Sequence, residues 1–496
     1  MKTKQLLLLI PYVLLVVSCK HKHEVSIPDI DWKHQVDSLL MPFWMTPEAQ
    51  GQPIGNFPTY RASDGSIMTK HNIDFNELND IDNFLFVGGT DSLQREFLRM
   101  KSRQVYAYGV GFHLTGNKEY LKLAKKGIEY LFKHGEYETG FPVSFWKDGV
   151  AMPSKNQRNA QDLAYALTGP SFYYYLTRDE EVLESILKVK KSIFKEYYKS
   201  MPNDSLRNHF IWVKENFEYD TIDRIELVAQ LDQLNAYMLL LTPILPDIEK
   251  NQFKNEMKSI CYLLKDKFYN EEYNLFKGNL SVDIFDSSHS DFGHSIKTLW
   301  MMLKVGQLIK DDTLIEFAKS KGLELLETAF VKKNGSWAWK YLDKSGKRDE
   351  GNLWWVYTEL DQMAATLSLK DTTLYSTYLK RTYDYWEDKF IDEKHKETWL
   401  ALYDNGKPVT TIGKAGIYKN AYHSLEHALV GYLSTANYYK NDIILYYAFK
   451  KGKKPENRII NPYYFNAEIN EVKEYAFKDS LLDDLKCFKL SFNNIE

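Results

Sequence analysis

The feature that most constrains this chain is a break that returns about every sixty residues. A short polar turn stands at Leu114-Thr115-Gly116-Asn117, Leu176-Thr177-Arg178-Asp179 and Leu245-Pro246-Asp247. It returns at Ile309-Lys310-Asp311-Asp312, Leu369-Lys370-Asp371 and Leu433-Ser434-Thr435. The starts of the six turns are separated by 62, 69, 64, 60 and 64 residues. A fixed period signals one supersecondary unit used repeatedly. About sixty residues hold two helices, one short connection and one long one.

Hydrophobic spacing between the breaks is helical. In Lys118 to His134, Leu121, Ala124, Ile128, Leu131 and Phe132 fall on one face, at the spacing of an amphipathic helix. Similar stripes run through Val182 to Tyr198, Asp247 to Phe268 and Thr313 to Phe330. They alternate with segments that are apolar almost all round, such as Leu227 to Leu245 and Ser295 to Leu308. A helix apolar on every side is a buried one. Six pairs of one buried and one half-exposed helix make an inner and an outer ring, so the expected fold is all-α, an (α/α)6 barrel spanning residues 32–439. The long connections carry aromatic, strand-like pieces at Phe141 to Gly149, Trp337 to Gly346 and Trp399 to Gly406. They end in turn-forming pairs, which predicts short β-hairpins around the barrel mouth. Trp146, Trp337, Trp339 and Trp399 are then placed to line a pocket.

The chain ends are of another kind. Lys2 and Lys4 precede an apolar run from Leu6 to Val17 that closes on Ser18-Cys19. This resembles a bacterial lipoprotein signal over 1–18, with Cys19 acylated and a linker over 19–31. The run is shorter than the roughly 20 residues of a spanning helix. The implied location is the bacterial cell envelope, with the lipid as the only membrane attachment. Beyond Tyr439, residues 440–496 read as an extension packed on the barrel, including the segment Ile460 to Phe465. After Cys19 only Cys261 and Cys487 remain, too few for a disulfide framework or a thiolate cluster; Cys261, in an amphipathic stretch, reads as packing. The formal charge of −3, with both signs interspersed, gives no basic surface for nucleic acid. Aromatic residues make up 15% of the chain, which suits a tight core, sugar-stacking surfaces, or both.

Nucleotide-binding glycine loops, nucleophile elbows and His-Glu-x-x-His helices are absent, and no cofactor is called for. What stands out is a set of polar residues near the starts of the buried helices, where an inner ring points them into the barrel. His294 opens one in Asp291-Phe292-Gly293-His294-Ser295-Ile296-Lys297, and His423 another in Asn420-Ala421-Tyr422-His423-Ser424-Leu425-Glu426-His427. Arg103, Asp162, Asp232 and Glu359 occupy comparable places. A lone helical histidine is usually structural; two at matched repeat positions face one cavity.

These residues also carry a resemblance. Phe292-Gly293-His294-Ser295-Ile296, Trp354-Trp355-Val356-Tyr357-Thr358-Glu359 and Tyr422-His423 are similar to signature segments of the N-acylglucosamine 2-epimerase superfamily, with its cellobiose 2-epimerases and mannose isomerases. Ser102-Arg103-Gln104-Val105-Tyr106 and Asp162-Leu163-Ala164-Tyr165 resemble two more. The superfamily fold is an (α/α)6 barrel. The resemblance implies that His294 and His423 move a proton at the carbon beside an open-chain sugar carbonyl. Histidine, with an unperturbed pKa of about 6.5, can do this near neutrality. Arg103 would stabilise the enediolate oxygen, Glu359 would orient a histidine or bind hydroxyls, and Trp355 would form an apolar wall. Asp162 and Asp232 complete the expected saccharide-binding set. Members of the family often form homodimers, but no interface is legible here. The chain departs from the pattern twice: Lys297 stands where epimerases keep the acid of His-x-x-Glu, and Asp232 where they keep a third histidine.

The expected ligand is a mono- or oligosaccharide, and the leading reading a sugar 2-epimerase or aldose–ketose isomerase. A glycoside hydrolase or lyase using Asp232 and Glu359 is the alternative on the same barrel. A non-catalytic saccharide-binding lipoprotein is another. A zinc site from His423 and His427, four apart with Glu426 between, lacks an evident third ligand.

Overall fold

The computed structural model describes residues 30–69, 71, 93–152, 159–200, 208–215, 224–411, 413–455 and 459–496. The signal segment, Cys19 and all but the last two residues of the linker lie outside them. Among the described residues, twelve helices pair into the ring. They are α1 (32–44), α2 (Leu98–Thr115), α3 (Lys118–His134), α4 (160–177), α5 (Glu180–Tyr197) and α6 (227–244). There follow α7 (247–268), α8 (Phe292–Ile309), α9 (Asp312–Ala329), α10 (Trp354–Ser368), α11 (372–390) and α12 (Ala421–Tyr439). The even-numbered helices form the inner ring, closed where α12 packs on α2. This is the all-α (α/α)6 barrel that the period predicts.

Local chemistry explains the sharp turns. The inner helices α2, α4 and α8 end on a left-handed residue: Gly116 (φ 75°), Arg178 (φ 55°) and Lys310 (φ 58°). The next helix then opens on a side-chain cap. Asn117, Asp179, Asp311 and Asp371 each accept from a backbone N–H in the first turn of α3, α5, α9 and α11. Such caps are worth about 1 kcal/mol each. In α4, Pro170 cannot donate to the carbonyl of Ala166. That carbonyl instead accepts from Ser102 Oγ at 3.1 Å and Tyr137 Oη at 2.6 Å, tying three elements together.

The sixth break is a correction. Leu433, Ser434 and Thr435 lie inside α12, which continues to Tyr439. Among the described residues no outer helix follows it; the partner is α1, from the other end of the chain. Trp32 Nε1 donates to Thr435 Oγ1 at 3.0 Å, and Gly431 makes room, since a Cβ there would lie 2.4 Å from the Trp32 ring.

The long connections carry short strand pairs at the mouth. Phe145–Lys147 and Val150–Met152 form the first expected hairpin, with Arg95–Phe97 on its other side. Lys340–Tyr341 pairs with Arg348–Asp349. Ala401–Leu402 pairs with Asn352–Leu353 on one side and, on the other, closes its own expected turn, with Leu402 bridging Pro408 and Val409 N donating to the Ala401 carbonyl at 2.9 Å. Residues 440–496 contain a three-stranded antiparallel sheet of β1 (Ile443–Lys450), β2 (Glu468–Tyr475) and β3 (Leu485–Asn493), in the order β1-β3-β2. β1 packs on α2, α4 and α12. Cys261 and Cys487 are buried and free. No described helix is long and apolar enough to cross a membrane.

Candidate active site

A cavity of about 1210 Å³ opens at the barrel mouth, above the N-terminal ends of the inner helices. His294, His423, Arg103, Asp232, Trp355 and Lys297 all line it. Glu359 and Asp162 stand behind this lining.

The start of α8 builds one side. Asp291 Oδ1 accepts from the backbone N of His294 at 2.8 Å and caps the helix; Oδ2 lies 2.7 Å from His294 Nδ1. A carboxylate acceptor there keeps the proton on Nδ1 and leaves the Nε2 lone pair for the cavity. Gly293 lets this turn approach α10, because a Cβ would meet Trp355 and Val356 at 2.7 Å. The ring centroids of His294 and Trp355 are 4.5 Å apart.

The start of α12 builds the other side. His423 lies 6.2 Å from the same Trp355 ring, so the indole stands beside both histidines. His423 Nδ1 has no hydrogen-bond partner and sits 3.8 Å from both Glu359 Oε1 and Glu426 Oε2. Burial, then the positive charges of Arg103 and Lys297, hold its pKa well below the usual histidine value.

The floor is an ion network. Lys297 Nζ is 3.0 Å from Asp232 Oδ1 and 3.7 Å from Glu359 Oε1. Burial opposes the Lys297 charge, yet Asp232, Tyr165 and Glu359 outweigh it and raise its pKa. Burial likewise opposes ionisation of Asp232, but Lys297 and hydrogen bonds keep its pKa below the ordinary carboxylate value. Gln161 and Tyr165 donate to Asp232 at 2.7 and 3.0 Å. Burial raises the pKa of Glu359, whose Oε2 accepts from Trp300 at 2.7 Å. The Arg103 guanidinium stacks 3.9 Å from the Tyr165 ring and donates to the Tyr418 carbonyl at 3.2 Å.

Several expectations change. Asp162 pairs with Arg99 at 3.2 Å instead of facing the cavity. Glu359 contacts the cavity only through its neighbours. Of the four mouth tryptophans only Trp339 lines it; Trp337 is buried and donates to Asp361 at 2.8 Å. Trp146 lies over Lys101 and Trp399 over Lys414. The His423–His427 zinc pair fails, because His427 Nε2 is engaged by Asp361 at 2.8 Å away from the cavity. Glu359, His423 and Glu426 do bring ligand-type atoms within 4.8 Å of one another. The Lys297 ammonium already stands beside that Glu359 oxygen, and Tyr463 occupies Glu426 Oε1, so the group reads as a proton-holding network.

His289 was missed by sequence reasoning. It lines the cavity, its ring centroid 4.9 Å from that of His294, with Nδ1 3.2 Å from Glu226 Oε2. It sits in a polar loop before α8, and Glu226 lies 63 residues away in sequence, so no local pattern marked the pair.

Comparison with known proteins decides the family. The N-acylglucosamine 2-epimerase (GlcNAc 2-epimerase) family model matches residues 87–426. The chain belongs to this family. A cellobiose 2-epimerase of Bacteroides fragilis is 21% identical over 342 residues, covering 66% of this chain and 84% of the relative. Among solved structures, a D-mannose isomerase superposes with a TM-score of 0.63 at 17% identity, over 82% of this chain and 99% of its own. An α-1,6-mannanase of Salegentibacter shares the fold more loosely, with a TM-score of 0.53 at 13% identity over 82% of this chain and 100% of its own. The family match ends at the start of α12's second turn and leaves the C-terminal extension outside it.

Proposed function

We propose that this protein is a sugar 2-epimerase or aldose–ketose isomerase that works through an enediolate. The observation that carries the reading is that His294, its Nδ1 held by Asp291 at 2.7 Å, and His423 open into one cavity beside Trp355. On an open-chain aldose, the His294 Nε2 lone pair takes the proton from C2. The electron pair moves into the C1–C2 bond, and the carbonyl oxygen takes up negative charge near Arg103. His423 returns a proton from the other side. Delivery to C2 on the opposite face gives the epimer; delivery to C1, with the O2 proton passing to O1, gives the ketose. The cavity volume suits a disaccharide or a larger sugar. By the same proposal the enzyme is held at the cell envelope through Cys19, a reading supported by the signal-like residues before it.

Incubation with cellobiose, mannose and related aldoses in deuterated water tests the reaction. Deuterium at C2 of recovered sugar, or at C1 of a ketose, is the expected result. The mannanase's shared fold supports a second reading, glycoside cleavage. Against it, Asp232 is ion-paired and Glu359 faces Trp300 and Lys297, so neither offers a proton to the cavity. A shortened oligosaccharide without deuterium uptake would replace the isomerase reading with the hydrolase. Binding with neither outcome would leave a saccharide-binding protein.

A further inference from the structure

The residues outside the family match reach the catalytic layer. The segment from Ile459 to Phe465 enters the closed end of the barrel, where Ile460, Tyr463 and Phe465 are buried. Tyr463 adopts a left-handed φ of 60°, unfavourable for a bulky side chain. The fold holds it there: its backbone N–H donates to Tyr175 Oη at 2.9 Å, and its ring lies against Tyr464 with centroids 3.8 Å apart. Its hydroxyl is 2.9 Å from that of Tyr106 on α2 and donates to Glu426 Oε1. The other oxygen of Glu426 is the one facing His423 Nδ1 at 3.8 Å.

We propose that Tyr463 is a positioning residue for the proton transfer: by occupying Glu426 Oε1 it confines the Glu426 proton to Oε2, the oxygen 3.8 Å from the unpartnered His423 Nδ1, and this proton, turned toward Nδ1, favours the Nε2–H tautomer of His423. The two histidines then present opposite faces to the sugar. Asp291 accepts from His294 and leaves a base in the cavity, whereas the Glu426 proton facing His423 Nδ1 disfavours a second proton there and leaves an acid. No atom is transferred in this arrangement; it sets where two protons rest. Burial and the neighbouring Glu359 push Glu426 up to about 8, so it holds its proton at neutral pH. Burial raises both Tyr106 and Tyr463 well above the ordinary phenol value, so both remain hydroxyl donors. A carboxylate at Glu426 would ask His423 Nδ1 to donate, and the pair of histidines would lose its asymmetry.

The inference builds on the isomerase reading, but its test does not need turnover. In the full-length chain with 15N-labelled histidine, His423 should show an acceptor-type Nδ1 and a protonated Nε2 at pH 7. Tyr463→Phe should shift His423 toward the Nδ1–H form and lower kcat about tenfold, the worth of one buried hydrogen bond, with KM little changed. Glu426→Gln, whose amide oxygen accepts from Tyr463 and turns its NH2 toward Nδ1, should keep the wild-type tautomer, and Glu426→Ala should lose it. A wild-type His423 protonated on Nδ1, or a Tyr463→Phe spectrum identical to wild type, overturns the inference; the first needs no variant to fold. The expected tautomer with no deuterium entering any sugar would sink the isomerase reading alone. Deuterium exchange together with an Nδ1–H His423 would sink this inference alone.

Discussion

Lys297 and Asp232, the two residues singled out by the sequence resemblance as departures from its motifs, are bonded to each other, with Nζ 3.0 Å from Oδ1 and both side chains buried. The lysine and the aspartate therefore compensate each other in charge. Each new charge is tolerated because the other neutralises it, and Lys297 also offsets Glu359. Removing one member of a buried pair costs about 3–5 kcal/mol, because it strands the other charge. Lys297→Glu should destabilise the fold by at least that amount, and adding Asp232→His should recover most of the loss. Urea unfolding of the four members of the cycle measures the coupling. Additive effects would show that the two charges do not compensate each other.

The bond from His294 to Asp291 predicts a loss of rate without a loss of fold. Asp291→Asn keeps a side-chain oxygen to cap α8, so the helix start should survive. The amide offers its NH2 to His294 Nδ1 and pushes the proton to Nε2, converting the base into a donor. An Asp→Asn change behind a catalytic histidine costs about 10⁴ in kcat in the serine-protease triad, and a fall of about 10³–10⁴ is expected here. Matching thermal melts alongside near-normal turnover would remove His294 from the role of base.

Most of the ring was readable because it is written locally. Turn residues such as Gly116, Arg178 and Asp311 act within a few positions of themselves, and burial of an all-round apolar helix needs no knowledge of its partner. The sixth unit was misread for the opposite reason. Ser434 and Thr435 look like a turn, but in α12 the first donates to the Gly431 carbonyl and the second accepts from Trp32, 403 residues away. The site divides in the same way. His294 and His423 were visible from matched repeat positions, and they do share the cavity. The carboxylates that orient or face them were less so: Asp291 is local, but Glu226 and Glu359 meet their histidines only through the closed ring. Tyr463 could not have been found by pattern, since nothing near it in sequence is part of the site.

The proposed anchor at Cys19 predicts a change of compartment with no change of chemistry. Cys19→Ser should abolish labelling by a radioactive fatty acid and move the protein from the membrane fraction to the soluble one. The barrel begins at α1, beyond the linker, so kcat per folded molecule should be unaltered. Continued membrane sedimentation of the unlabelled variant would show attachment by some other surface.

Glu426 predicts how stability follows pH. Burial first, and then repulsion from Glu359, raises its pKa from 4.5 to about 8. A carboxyl with a raised folded-state pKa favours the fold fully below its unfolded value near 4.5. That contribution is lost as pH rises through about 8, because the unfolded chain releases the proton readily and the folded chain does not. Glu426→Gln keeps the neutral shape and removes the titration, and it also relieves Glu359. The Tm of the variant relative to wild type should therefore rise by about 2–4 °C or more between pH 5 and pH 9. A constant difference across that range would mean that Glu426 ionises at an ordinary pKa. The proton that Tyr463 is proposed to confine would then be absent at neutral pH.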